Sequence, residues 1–531
     1  MGDPEPDTGR GHRRLWIGAF AFCAALVAVR NIVDLAGSPP GLYVDEASIG
    51  YNAWTIAHFG VDEHGIHLPL FFEAFGEYKN PVYVYSVAAL VRFLPLTVAV
   101  ERFPAAIFGL AVVGFLSAAA WRLTGSRVIT LGTLLLTALT PWLVIESRVG
   151  FETISMVALL SAAVWCLSAR TPTPRQFGLA GVFLAFAIYG YTTARLEVLL
   201  IAIALAVVWG VARTSGWWRA MVPVFMGYVV LGVYSLLNPG ALTGRFGLIS
   251  IWADGAPLNV VVDRFLVNYI TYFSPSFLFV NGDANPRQNT GIGGMLLWVT
   301  APLLVAGLLV CWQRRRQPLI QFLAAAIVLA PIAAALTNNG TPHALRSSGM
   351  LPLLVVLAIL GADGIRKAVG DRPQALLAVT GVLAAGLLVQ GALFTVDLYT
   401  AYPNRAAIDF DTGEIAAITT ARAEAGGHRV YLSSNLDPPY IEAFFALLPA
   451  PPADPVTDDA TPGLTALGMQ VTPPQLVEPT ASPGDVLVLN DGVDPAPPAG
   501  WTLVATERSP ANPVDPSTAR PALISVYRFD G

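Results

Sequence analysis

The residues able to do chemistry in this 531-residue chain stand in short polar clusters between long apolar runs. The first cluster reads Gly-Leu-Tyr-Val-Asp45-Glu46-Ala-Ser-Ile-Gly-Tyr-Asn-Ala-Trp. An acidic pair ahead of an apolar helix can hold one carboxylate over a cavity as a general base while the other caps the helix or binds a cation. The alternative is that Asp45 only caps a helix beginning near Ala47. Next comes Val61-Asp62-Glu63-His64-Gly65-Ile66-His67, followed by Glu73. These carboxylates and histidines could take a divalent metal, but their spacing matches no closed site, and a solvated loop is the better reading of His64 and His67. Glu77 and Lys79, in Glu-Tyr-Lys-Asn-Pro, directly precede the aromatic run Val82-Tyr83-Val84-Tyr85. A lysine there lies at the depth of lipid phosphates, to bind one in a site or to snorkel to headgroups.

Four later turns each carry an arginine: Glu146-Ser-Arg148-Val-Gly-Phe-Glu152, Tyr189 to Glu197 with Arg195, Asn281-Gly-Asp-Ala-Asn-Pro-Arg287, and Asn338-Asn-Gly-Thr-Pro-His343-Ala-Leu-Arg346. Forked guanidinium donors suit clustered phosphate oxygens. Ionisable residues at such helix ends face a cavity or each other, and Arg148 and Glu152, four residues apart, could form only a local ion pair.

The elements that must position these clusters are membrane helices. The chain is 54% hydrophobic and 13% charged, about half the roughly 25% charge of soluble domains. That balance excludes an ordinary soluble enzyme, and a net charge of −5 gives no electrostatic case for nucleic acid. Cys23, Cys166 and Cys311 lie in apolar runs, so no disulfide framework is expected. Runs near 15–35, 104–121, 128–146, 153–169, 176–191, 196–212, 220–238, 292–311, 319–337, 348–364 and 374–395 meet the roughly 20-residue length of a bilayer span.

Charge sorting fixes their direction. With Arg10, Arg13 and Arg14 cytoplasmic and the shorter run 82–96 kept on the outer surface, the inner loops collect Arg122 and Arg127, Arg170 and Arg175, Arg213 and Arg219, Arg314 to Arg316, and Arg366, Lys367 and Arg372. Every inner connection is then basic, as orientation requires. The expectation is a polytopic all-α membrane protein of about eleven spans plus juxtamembrane helices. Residues 1–14 form a cytoplasmic segment and the first run is a signal anchor. Residues 15–395 form the membrane module, with outer loops 36–103 and 239–291. Residues 396–531 form a small extracytoplasmic α/β or β domain, with strand-like runs at 428–433, 484–489, 502–506 and 523–529 and a Pro-rich surface stretch at 448–456.

The order of these motifs resembles the family 39 glycosyltransferases, which have the GT-C fold and include protein O-mannosyltransferases and lipid A aminoarabinose transferases. The shared features are Asp-Glu in a long first outer loop, Glu-x-Lys-x-Pro before a juxtamembrane helix, Ser-Arg-x-Gly-x-Glu at the second outer turn and Pro-His-x-Leu-Arg before a late span. They cover roughly residues 15–365. The resemblance implies Asp45 as general base and Glu152 at a second acidic position. It implies Lys79 and Arg346, with Arg148 and Arg287 beside them, as contacts to the phosphate of a polyprenyl-phosphate sugar. Glu46, Glu77, His64 and His343 fall near the acceptor or a metal. Where relatives place a histidine in the second large outer loop this chain has Tyr272, so no metal is assigned and a divalent ion stays open as a cofactor.

The implied activity is inverting transfer of a hexose or pentose to an extracytoplasmic protein, glycolipid or cell-wall acceptor at the cytoplasmic membrane. The chain has no phosphate-cradling G-x-x-x-x-G-K motif, in keeping with a donor that is not a nucleotide. The alternative is a transporter or flippase of a lipid-linked sugar, which would need polar groups near the bilayer midplane.

Overall fold

The computed structural model describes residues 8–169, 171–370, 372–452, 461–477, 481–497 and 499–531. The first seven residues of the expected cytoplasmic segment, Arg170 and the end of the Pro-rich stretch lie outside the described residues. In the membrane module, helix α1 spans Thr8–Ile32, α2 Val44–Phe59, and a hairpin β1 (Phe72–Ala74) and β2 (Glu77–Lys79) leads into α3 (Pro81–Val91). Then come α4 (Val98–Thr124), α5 (Arg127–Leu139), α6 (Pro141–Glu146), α7 (Thr153–Leu167), α8 (Pro174–Ala187), α9 (Ala194–Val211) and α10 (Trp218–Leu237). Two helices of the second large loop, α11 (Gly244–Ile249) and α12 (Leu258–Thr271), precede α13 (Thr300–Gln313), α14 (Pro318–Leu329), α15 (Ile332–Ala335), α16 (Ala344–Ser347), α17 (Met350–Val369) and α18 (Pro373–Tyr399).

Every apolar run named above holds a helix, and the departures have local causes. Run 292–311 is helical only from Thr300, because glycines at 291, 293 and 294 precede it. Runs 128–146 and 319–337 are each interrupted, at Pro141 and Pro331, where the ring removes a backbone donor. The surface run 82–96 is helical only to Val91. Helix starts carry the expected signals: Pro81, Pro174 and Pro373 stand in the first turn, and the Thr97 and Thr173 hydroxyls accept from Val100 and Gln176 N–H.

Five helical stretches are long and apolar enough to cross a membrane: Val98–Thr124, Ala194–Val211, Trp218–Leu237, Pro318–Ala335 and Pro373–Tyr399. Tight packing of α13 on α17 depends on glycine. A Cβ on Gly307 would lie 2.2 Å from the Leu357 carbonyl oxygen, and one on Gly361 would lie 1.9 Å from that of Leu303. Such close backbone approach is how helices associate where lipid removes the hydrophobic drive.

Beyond α18 the chain continues through α19 (Tyr402–Arg405), α20 (Glu414–Ala425), β3 (Val430–Ser433), α21 (Pro439–Leu447), α22 (Thr461–Ala466), β4 (Met469–Thr472), β5 (Val486–Asn490), β6 (Trp501–Arg508) and β7 (Ala522–Phe529). The sheet order is β4-β3-β5-β7-β6, with β3 parallel to β4 and β5, and β7 antiparallel to β5 and β6. The terminal region is therefore α/β. Four strands fall on the expected runs; β4 was not anticipated, since Met-Gln-Val-Thr is short and lies at the sheet edge.

Candidate functional site

Asp45 and Glu46, adjacent in the chain, do different work. Glu46 accepts the Tyr43 N–H at 3.1 Å, so the helix start is served by Glu46 and not by Asp45. Its carboxylate also takes Arg102 Nε and Nη2 at 2.7 and 2.8 Å and the Gly150 N–H at 2.7 Å, in full burial. Asp45, one residue earlier, points to Lys79, whose Nζ lies 2.5 Å from Oδ1. The Asp45 side chain is 30% exposed and that of Lys79 only 5%, so this lysine does not snorkel to headgroups.

Lys79 ends β2, and its neighbour Asn80 organises the adjoining wall. The Asn80 N–H donates to Glu152 Oε1, its Nδ2 reaches Thr192 Oγ1 at 3.3 Å, and its Oδ1 accepts from Arg195 Nη2 at 3.0 Å. Burial alone would lower the Lys79 ammonium, but the carboxylates of Asp45, Glu77 and Glu152 outweigh it and hold the group above the usual lysine range. Burial pushes Glu152 up to about 7, against the opposing pull of Lys79 and the Asn80 N–H.

Asp45, Glu77, Lys79, Glu152, Thr192 and Arg195 line a cavity of about 570 Å³. Four cations, Lys79, Arg195, Arg287 and Arg346, face four carboxylates, Asp45, Glu77, Glu152 and Asp283. Arg287 stacks over Tyr43 at 3.9 Å and donates to the Asp409 carbonyl at 3.3 Å. Arg346 donates from Nη1 to Thr337 Oγ1 and the Asn339 carbonyl at 3.0 and 2.7 Å. Its Nη2 and Nε have no protein acceptor among the described residues. An apolar wall comes from the second large loop, through Leu242, Phe246, Ile249 and Trp252, and Arg195 Nη1 donates to the Leu242 carbonyl at 3.3 Å. Charged groups together with an apolar wall suit an amphipathic ligand with an anionic head.

His343 also lines the cavity, but burial, then Arg346 and Arg287, drive its imidazole down to about 3, so it is neutral there. The Tyr272 hydroxyl accepts the His343 N–H at 3.3 Å. The sequence offers Arg195 as one of four turn arginines suited to phosphate, and gives Asp283 and Asn285 of the same polar turn as Arg287 no role and Gln288 no notice. The signal for Arg195 was its position one turn below two tyrosines at a helix start.

Three expected site residues lie elsewhere. Arg148 is fully buried and lines no part of the cavity. Its Nε donates to the Ser38 carbonyl, and its Nη atoms donate to the carbonyls of Arg30, Asn31, Val33 and Asp34, which are the open end of α1. Arg30 and Asn31 belong to the last turn of α1, so a cation there serves its C-terminal carbonyls and the helix dipole. Nor does Arg148 pair with Glu152, because α6 ends at Glu146 and α7 begins at Thr153, so the two side chains leave the turn in different directions. Glu46 is absorbed by Arg102, as described. His64 is buried in the 61–67 loop, where Asp62 Oδ1 accepts the N–H groups of His64 and Ile66. Glu63 in turn receives Asn52 Nδ2 at 2.7 Å. The acidic and histidine residues there tie down a loop; no group of three or more His, Cys, Asp or Glu placed to hold a metal occurs among the described residues.

No protein-family model and no curated protein sequence matches the chain. Among solved structures it is similar to ArnT from Cupriavidus metallidurans in the apo state, with a TM-score of 0.57 and 14% identity over 96% of this chain and 98% of ArnT. It is likewise similar to that ArnT bound to undecaprenyl phosphate, with a TM-score of 0.56 and 12% identity over the same shares. The likeness runs nearly end to end in both chains. The chain has the GT-C fold. In this GT-C protein the charged cavity lies where α2, the β1–β2 hairpin, the α6–α7 turn and the start of α9 meet the loops before α13 and α17.

Proposed function

We propose that the protein is an integral-membrane glycosyltransferase that moves a hexose or pentose from a polyprenyl-phosphate donor to an extracytoplasmic acceptor, with inversion. The observation that carries this reading is the Asp45–Lys79 pair in a cavity bearing three further arginines against an apolar wall. The ArnT structure of the same fold holds undecaprenyl phosphate, which fits a donor of this class.

In the proposed reaction the acceptor hydroxyl attacks the anomeric carbon, Asp45 takes its proton, and the bond from that carbon to the phosphate oxygen breaks with its electron pair going to the polyprenyl phosphate. The leaving group gains negative charge as the bond breaks, so Lys79, Arg346, Arg195 and Arg287 stabilise the transition state more than the bound donor. Lys79 stays charged throughout, and in the resting site it keeps the Asp45 carboxylate in place. Glu152, poised near neutrality, borders the same space as the second acidic group. The apolar wall from 242 to 252 receives the start of the lipid tail. The transporter reading finds less support, since the cavity's charged residues belong to loops and helix ends and not to mid-helix positions.

The test supplies radiolabelled polyprenyl-phosphate sugars to membranes containing wild type or Asp45→Asn. Loss of a general base predicts transfer reduced by about 100-fold or more. Equal transfer by the two would remove Asp45 from its role.

A further inference from the structure

The helix that carries Asp45 belongs to two hydrophobic cores. Ile49, Ala53 and Ile56 of α2 pack into the core of the membrane module. Val44, Ala47 and Tyr51, on its other face, pack into the core of the terminal domain with Ile418, Val430 and Phe444. The Tyr51 ring meets Phe444 with centroids 5.1 Å apart, and its hydroxyl donates to the Pro449 carbonyl at 2.8 Å.

Two glycines bracket Asp45 at these contacts. A Cβ on Gly41, which has a φ of +63°, would lie 2.1 Å from the Phe410 carbonyl oxygen. A Cβ on Gly50 would lie 2.5 Å from Phe445 Cε2 and 3.3 Å from Glu101 Cγ. At Gly50, then, α2 is pinched between α21 of the terminal domain and α4 of the membrane module. Both contacts fall within five residues of Asp45 along the chain.

We propose that the terminal domain is a positioning element for the reaction: Phe445 against Gly50, and the segment 410–412 against Gly41, set where α2 sits and hence where the Asp45 carboxylate stands relative to Lys79 and the acceptor hydroxyl. The proposal rests on the reading of Asp45 as general base. It makes Gly50 and Phe445 positioning residues that touch no substrate.

The experiment uses the full-length protein in lipid nanodiscs and two readouts. Acetylation of Lys79 by a water-soluble acetylating reagent, followed by mass spectrometry, reports whether the Asp45–Lys79 pair is intact. Transfer from the radiolabelled polyprenyl-phosphate sugar that the wild type uses reports kcat and donor KM.

Gly50→Ala forces α2 away from Phe445, and a displacement of that kind is expected to raise Lys79 acetylation about 3-fold and lower kcat about 10-fold, with donor KM within about 2-fold. Gly50→Ala/Phe445→Ala, which vacates the space the new methyl needs, is expected to bring acetylation back to within about 1.5-fold and kcat to within about 3-fold of wild type. Unchanged acetylation in Gly50→Ala, or no recovery in the double variant, overturns the proposal. Should Gly50→Ala not fold, Phe445→Ala alone decides, since it leaves α2 unaltered: raised acetylation supports the clamp and unchanged acetylation overturns it. Raised acetylation with undiminished kcat would leave the clamp standing and refute the role of Asp45.

Discussion

The corner where α1, α2 and α4 meet and the cavity beside it are built from the same residue types, yet they behave as opposites. In the corner, Glu46, Arg102 and Arg148 use up their hydrogen-bonding capacity on protein. Arg102 holds Glu46 and three carbonyls, those of Leu35, Pro39 and Gly41, while Arg148 holds the last carbonyls of α1. In the cavity, Arg346 anchors one nitrogen and keeps two in reserve, and Lys79 shares a single carboxylate oxygen with Asp45. A buried cation whose donors are all spent is scaffold, and one with donors to spare is a binding group. Asp45 and Glu46 draw that boundary between consecutive residues.

The contrast breaks most visibly through stability. Arg148→Ala would strip the carbonyls of Asn31, Val33 and Ser38 of their donor at the end of α1, with an expected loss of about 3 kcal/mol or more, read as a large fall in melting temperature in detergent. Arg346→Ala would leave the melting temperature almost unchanged and raise donor KM by about 10-fold or more through the loss of a charge-assisted phosphate contact. If instead Arg148→Ala melts like wild type and raises donor KM, the division between corner and cavity is wrong.

A smaller effect concerns pH. The Glu152 carboxyl stands at about 7, above its ordinary value of 4.5, so the folded protein holds a proton there that the unfolded chain has lost between those limits. Stability contributed by this group therefore falls as pH rises from about 4.5 to about 7. Glu152→Gln is expected to flatten the melting-temperature profile over that window, and an unchanged slope would refute the buried setting of Glu152. An effect of opposite sign and wider window is at His343, whose imidazole stands near 3 in the folded state against an ordinary 6.5. Its contribution is lost as pH falls from about 6.5 towards 3, so His343→Asn is expected to lessen acid sensitivity there without altering transfer at neutral pH.

Much of the architecture was legible in the sequence because a bilayer imposes length and charge rules on every span. Lys79 and Asp45 were legible as motif residues, one at the end of the hairpin that leads into α3 and the other in the first turn of α2. The fates of the arginines were not, because they depend on contacts far along the chain. Arg148 is claimed by carbonyls more than a hundred residues earlier, while Arg195 reaches Asn80 on a different element. The spacing of Arg148 and Glu152 suggested one helical face, and the break between α6 and α7 removed that face. The sharing of α2 between two cores was equally hidden, since its apolar residues encircle the helix and do not say which neighbour each face will meet.

The most direct test of the account is the position of a bound donor lipid. Cryo-electron microscopy of the full-length protein in nanodiscs with undecaprenyl phosphate should show phosphate density in the cavity, in contact with Lys79 and Arg346, and the lipid tail leaving past Phe246 and Trp252. Phosphate density outside this cavity, with Lys79 still paired only to Asp45, would contradict it.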